Sequence, residues 1–252
     1  MDTPQHLLVP VDLSDASRAG VVAAEQLAAR FGGRLTLLHV ATASANIGML
    51  LEAENVAAVQ AAAEREVARL ELELGAFADK MELDRDRIDT VVVDDLVAAD
   101  AILRWAEKSE PDWICMSTAG TRGWRRFFLG SVAAEVIRRS TWPVLAVRNR
   151  GNAEPGLLFD DFRRVLLATD FHDRGERLIE PAVALASPAG GIVPLHVIDA
   201  PAPYGLYGTP ITIPAEDLEA AKEWTEHALR QYAAAIPDEL CEEPRVVIGR
   251  PA

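Results

Sequence analysis

At 252 residues the chain has room for one large domain or two of ordinary size. Its composition, 50% hydrophobic and 25% charged, is that of a globular protein and excludes disorder and fibre. The net charge of −14 argues against nonspecific binding to nucleic acid or anionic membrane, because the whole-protein field repels both.

No apolar run approaches the length of a membrane-spanning helix, and "MDTPQHLLVPVD" lacks the basic-then-apolar order of a secretory signal. Cys115 and Cys241 lie in separate apolar segments and form no CxxC pair, which points to a reduced, cytoplasmic location.

Leu7–Val11 is short and continuously apolar, the mark of a strand covered on both faces. The spacing then predicts a helix over Ser14–Ala29, with Ser14 or Asp15 as N-cap and Gly32–Gly33 as its stop. Leu35–Val40 reads as a second strand, and the Ala- and Glu-rich stretch Leu50–Lys80 as a long helix. Ile88–Val93 is a third strand and Val97–Ser109 a third helix, halted by Pro111. Trp113–Ser117 is the fourth strand, followed by the basic glycine loop "STAGTRGWRRFFLGSV". A helix over Ser131–Arg139 and a last strand, Val144–Arg148, opened by Pro143, complete the unit. Such alternation predicts a parallel sheet with helices on both faces.

Asn149–Asp160 is rich in turn residues, and it divides the chain into residues 1–149, a linker at 150–161, and a second unit at 162–252. That second unit repeats the first. "HLLVPVDLSDASRAG" (His6–Gly20) matches "RVLLATDFHDRGERL" (Arg164–Leu178), and "GGRLTLLHV" (Gly32–Val40) matches "GGIVPLHVI" (Gly190–Ile198). Asp12 and Asp170 are 158 positions apart and His39 and His196 are 157 apart, nearly one offset. After the loop Asp199–Pro214 come a long helix and the strand Arg245–Ile248. Aligning "VVIGRPA" with "VVVDDLV" (Val91–Val97) leaves the second unit without roughly fifty residues equivalent to Leu96–Arg148.

In an open parallel sheet, ligands bind beyond the carboxyl ends of the strands where strand order reverses. Asp12, Val40 and the stretch Met116–Gly120 fall at such ends. Gly120 and Gly123 let backbone approach an anion closely. Gly130–Ser131 opens a helix whose free amides and dipole favour phosphate. The cluster Arg122, Arg125 and Arg126 is a basic island in an acidic chain. A G-x4-G-K-[ST] loop and a G-x-G-x-x-G turn after the first strand are both absent, which excludes P-loop and dinucleotide-binding readings.

The segments "LLVPVDLSDASRAG", "LTLLHV" and "MSTAGTRGWRRFFLGSVAAEVIRRSTWPVLAVR" (Met116–Arg148) resemble the universal stress proteins, specifically the tandem-domain members. The resemblance implies two tandem open parallel-sheet sandwiches of the Rossmann-like adenine-nucleotide alpha-hydrolase type, the second truncated. Nucleotide-binding members carry G-x2-G-x9-G-[ST] after the fourth strand. Gly120 and Gly130–Ser131 match it, and Ser117 stands in place of the first glycine. By this resemblance Asp12 contacts the adenosine part and Pro10, Val11 and Val40 line the adenine pocket. Met116, Gly120 and Gly123 flank ribose and phosphates, and Gly130, Ser131 and Val132 hold phosphates. The implied ligand is ATP, or AMP or ADP, with or without Mg.

His39 and His196 read as structural, Asp94–Asp95 as a solvated strand end, and Cys115 as core filling. Trp124 with Phe127–Phe128 forms a lid or a partner contact. No general base or nucleophile pairing is visible, so the expectation is a sensor or regulator working by occupancy and not an enzyme. An interaction module of the same fold that binds no nucleotide is the alternative. The strand Val144–Val147 is expected to pair with another chain, a second copy or a different protein, or irregularly with the second unit, since an open edge seeks a partner.

Overall fold

The computed structural model describes residues 3–43, 56–118, 130–148, 162–171, 177–187, 189–199 and 215–249. They fall into two compact units, one within Thr3–Leu158 and one within Phe159–Ala252.

The first unit runs β1 (His6–Pro10), α1 (Arg18–Phe31), β2 (Arg34–Ala41), α2 (Val56–Lys80), β3 (Ile88–Asp94), α3 (Ala98–Ser109), β4 (Trp113–Ser117), α4 (Ser131–Arg139) and β5 (Val144–Val147). Its five strands pair in the order β3-β2-β1-β4-β5, all parallel. Leu7, Leu8 and Val9 are each 0% exposed, as a strand covered on both faces requires. Leu8, Leu38, Ile114 and Met116 pack with Ile102, Ala106 and Val136 of α3 and α4. On the other face α1 lies against β1, β4 and β5, and α2 against β2 and β3. Truncating one of these filled positions, Leu8→Ala for example, costs about 2–5 kcal/mol, the lost transfer energy plus the cavity left behind.

Gly32 ends α1 with φ +73°, a left-handed conformation that favours glycine, and its amide donates to Ala28 O. Gly33 is needed for a different reason. A Cβ there would sit 3.0 Å from the carbonyl oxygens of Pro4 and Gln5, where the chain crosses back towards β1.

The start of α1 departs from the sequence reading. Asp15–Ser17 is a turn of 3₁₀ helix, and the α-helix begins only at Arg18. Ser14 caps no helix amide. Instead its amide and hydroxyl both donate to Asp12 Oδ1, at 3.1 and 2.5 Å. A serine two residues after an aspartate is captured by that carboxylate in an Asx turn, which competes with capping.

The second unit has β6 (Arg164–Ala168), α5 (Ile179–Leu185), β7 (Gly191–Asp199), α6 (Ala215–Ala233) and β8 (Arg245–Gly249), with three parallel strands in the order β6-β7-β8. Its local geometry matches that of β1–β2 residue for residue. His6 faces Arg34 and Val9 faces Leu37, while Arg164 faces Gly191 and Leu167 faces Pro194. Gly190 repeats the role of Gly33, since a Cβ there would lie 2.9 Å from Phe162 O and 3.1 Å from Arg163 O. Leu13 and Phe171, each directly after the strand-end aspartate, both take φ near +60°, at 60° and 61°.

The third strand shifts by one residue from the alignment made on sequence. Leu38 faces Val91 and its counterpart Leu195 faces Arg245, so Arg245, not Val246, takes the place of Val91. Two valine-rich strands align equally well by composition in either frame, and only the hydrogen-bond register chooses. Among the described residues, β6 pairs with β7 alone, and Leu166 is 61% exposed where its counterpart Leu8 is fully buried.

Candidate functional site

Strand order reverses between β1 and β4: β2 and β3 extend to one side, and β5 to the other. Leu7 faces Trp113 and Leu8 faces Ile114, and continuing that register brings Val11 level with Ser117. Val11 N donates to Leu38 O at 2.9 Å, so the ends of β1, β2 and β4 stand at one height. This is the crevice where ligands of such sheets sit.

On the β1 side, Pro10 is half-buried, Val11 is buried, and Asp12 is exposed with its carboxylate oriented by Ser14. On the β2 side, Val40 is half-buried and packs against the α3–α4 cluster. Met116 is 5% exposed, with its side chain inside the same cluster, so it presents backbone to the crevice. Gly120 and Gly123 lie outside the described residues, as do Arg122, Trp124, Arg125, Arg126, Phe127 and Phe128.

The two ends of the glycine loop are tied together. Thr118 N donates to Val147 O at 2.8 Å, and Gly130 N donates to Thr118 O at 2.7 Å. That bond sets the first residue of the helix start directly beside the end of β4. No side chain caps α4, and its first intrahelical bond runs from Ala134 N to Gly130 O at 2.8 Å. The amides of Ser131, Val132 and Ala133 precede that bond and have no intrahelical acceptor. Ser131 and Val132 are exposed. The partial positive charge of the helix start is thus open to an anion.

Ser117 has a role that sequence did not disclose. Its Oγ accepts the Gly20 amide hydrogen at 2.9 Å, across 97 residues. Gly20 lies in the first turn of α1, whose own N-cap, Ser17, spends its hydroxyl on Ser14 O at 2.8 Å. Ser117 therefore caps α1 from the neighbouring strand. The approach needs glycine at 20, because a Cβ there would sit 2.8 Å from Ser117 N and 2.9 Å from Met116 C.

His39 is the second residue whose role comes only from the register. Its Nδ1 lies 2.9 Å from Val11 O, and a carbonyl only accepts, so Nδ1 carries the hydrogen. His196 makes the same bond to Thr169 O at 2.8 Å, and its ring stacks on Phe171 at 4.4 Å. Each histidine pins the end of the first strand of its unit. Beside His39 and Val40, between β2 and α2, opens a cavity of about 560 Å³ bounded also by Ala62, Arg65, Arg69 and Leu70. Arg69 is paired with Glu66 and Glu73.

Asp95 pairs with Arg104, accepts from Val97 N at 3.3 Å, and donates its own amide to Ala41 O at 2.8 Å. It is an anchor between β2 and α3, not a bare strand end. Burial pushes the Cys115 thiol up to about 12, which removes it from thiolate chemistry. No described helix is long and apolar enough to cross a membrane.

The chain matches the sequence profile of the universal stress protein family twice, over residues 4–148 and 161–252. Universal stress protein MJ0531 of Methanocaldococcus jannaschii is 29% identical over 155 residues, covering 57% of this chain and 82% of its own length. A universal stress protein from Archaeoglobus fulgidus DSM 4304 superposes with a TM-score of 0.56 at 18% identity, over 100% of this chain and 80% of that one. A universal stress protein crystallised in complex with cAMP covers 58% of this chain and 98% of its own, with 24% identity and a TM-score of 0.40. With its profile matched in both units, over more than half of its length, the chain belongs to the universal stress protein family.

Proposed function

We propose that the first unit binds one adenine nucleotide, ATP in the first instance, and that the protein works as a stress-response sensor or regulator through occupancy and not turnover. The observation that carries this reading is the uncapped start of α4, held beside the end of β4 by the Gly130–Thr118 bond, at the point where strand order reverses. The amides of Ser131 and Val132 and the Ser131 hydroxyl would take phosphate oxygens. The Gly130 amide already serves Thr118, so Gly130 contributes by leaving the helix start free of a side chain. Pro10, Val11 and Val40 offer an apolar wall to the base, and the neighbouring cavity of about 560 Å³ is within the usual size of a ligand pocket. Asp12, Gly120 and Gly123 complete the set by family resemblance. A bound Mg ion would be carried by the phosphates, as such ions keep waters and take few protein ligands.

No step of hydrolysis is part of this reading. His39 is engaged through Nδ1 in holding β1, and Cys115 is sealed in the core. The proposal places the one site in the first unit, because the described elements of the second form a three-stranded sheet that includes no counterpart of β4 and α4. Among the described residues β5 pairs with β4 alone, and the proposal gives its outer edge to a second copy of the chain in a cytoplasmic dimer. Sedimentation tests this, and a strict monomer at working concentration would count against it.

The reading is tested by heat-denaturing the purified protein and assaying the supernatant for nucleotide, wild type beside Gly130→Asp. An aspartate at the helix start puts a carboxylate where phosphate would bind. Nucleotide from the wild type and none from the variant is the expected result. An empty wild type that also shows no thermal shift with ATP or cAMP would sink the reading.

A further inference from the structure

Ser117 holds one resource that the fold does not use. Its oxygen accepts the Gly20 amide at 2.9 Å, and among the described residues no other hydrogen bond joins it. A hydroxyl carries one hydrogen of its own, so Ser117 retains a donor with no acceptor among the described residues. The residue is half-buried, which makes an idle donor costly unless water or a ligand takes it. Its oxygen is fixed by α1, so the hydrogen projects away from Gly20 and not towards the helix.

The neighbours of Ser117 say which part of a nucleotide it would meet. Continuing the β1–β4 register, Val11 stands level with it, one residue past the end of β1 and one before Asp12. Thr118, the next residue, carries the carbonyl that holds Gly130 at the start of α4, where phosphate would bind. The group over Ser117 is therefore the one covalently attached to the phosphates, the sugar. A ribose hydroxyl oxygen accepts a hydrogen bond; deoxyribose lacks one such oxygen.

We infer that Ser117 is a specificity-determining residue that donates its hydroxyl hydrogen to a ribose hydroxyl oxygen and so selects ribonucleotides over their deoxy analogues. The inference rests on the nucleotide reading above, and it gives the serine a use that glycine at the same position could not supply. The bond to Gly20 is what makes the donor directional, since a freely rotating hydroxyl would discriminate less.

The test is an equilibrium titration of the full chain with ATP, 2′-deoxy-ATP and 3′-deoxy-ATP, for wild type, Ser117→Ala and Ser117→Thr. The wild type should prefer ATP over one of the deoxy analogues by about tenfold, the worth of one hydrogen bond in a half-buried site. Ser117→Ala should bind ATP about tenfold more weakly, bind that analogue unchanged, and so lose the preference. Ser117→Thr, which keeps the hydroxyl, should retain it. An equal loss for ATP and both analogues in Ser117→Ala would show a purely structural cap and overturn the inference. A wild type that binds all three alike overturns it without recourse to any variant, while leaving nucleotide binding itself intact. A wild type that binds none of them removes both readings together.

Discussion

His39 Nδ1 donates to Val11 O at 2.9 Å, and 157 residues later His196 Nδ1 donates to Thr169 O at 2.8 Å. In both units a histidine near the end of the second strand ties down the first strand just before its aspartate. Beyond that tie the chain turns through a left-handed residue, Leu13 or Phe171. The aspartate is thus presented by a fixed backbone, not by a loose strand end. Replacing His39 by Phe keeps the bulk and leaves Val11 O without its donor. Denaturant unfolding should then show a loss of about 1–2 kcal/mol, the cost of an unmade bond to a carbonyl withdrawn from water. An unchanged midpoint would mean that the bond contributes nothing to the fold.

α1 and β4 approach closely at Gly20 and Ser117. A Cβ at Gly20 would meet backbone atoms at 2.8 and 2.9 Å, and backbone does not yield as a side-chain tip does. Gly20→Ala should therefore destabilise the protein by about 1–3 kcal/mol despite the better helix propensity of alanine. A stability gain of the size expected from propensity alone would contradict the packing described here.

The two thiols should separate cleanly. Cys115 is fully buried, and its pKa is pushed up to about 12 by that burial. The Cys241 thiol is also raised, by burial first and by the charge of Asp238 second, but the residue is only half-buried. An aromatic disulfide reagent should label Cys241 slowly in the native protein and reach Cys115 only in denaturant. Prompt labelling of both in native buffer would place Cys115 outside the core.

His6 makes stability depend on pH. Burial, then the charge of Arg34, lowers its pKa below the ordinary value of 6.5, and its ring contacts Thr36 Oγ1 at 2.9 Å. The unfolded chain therefore takes up the proton first. The His6 contribution is complete above 6.5, and stability falls as the pH drops from there through the lower folded-state value. Unfolding midpoints measured downward from neutrality should show that loss, and His6→Phe should flatten it. An equal slope in the variant would assign the loss to carboxylates instead.

Much of this was legible in the sequence because punctuation and apolar runs coincide. Pro111 lies just before β4 and Pro143 just before β5, and Gly130 precedes α4, so Trp113–Ser117 and Ser131–Arg139 appear at the limits read from the residues. The repeat disclosed the second sheet, and the glycine pattern marked the start of α4 at Gly130–Ser131. The remainder depended on register. Ser14 looked like a helix cap, but the nearer Asp12 takes both its donors. Ser117 looked like a defect in the glycine pattern because its partner, Gly20, lies 97 residues away. The histidines recur visibly in sequence, yet only strand pairing shows that each faces a carbonyl of the preceding strand.

The most direct measurement is the stoichiometry and affinity of ATP for the full chain by isothermal titration calorimetry. One site, in the first unit, predicts one nucleotide per chain and loss of that binding in Gly130→Asp, with the variant still folded by circular dichroism. No binding by the wild type, two nucleotides per chain, or full binding by Gly130→Asp would each contradict the site at the junction of β1, β4 and α4.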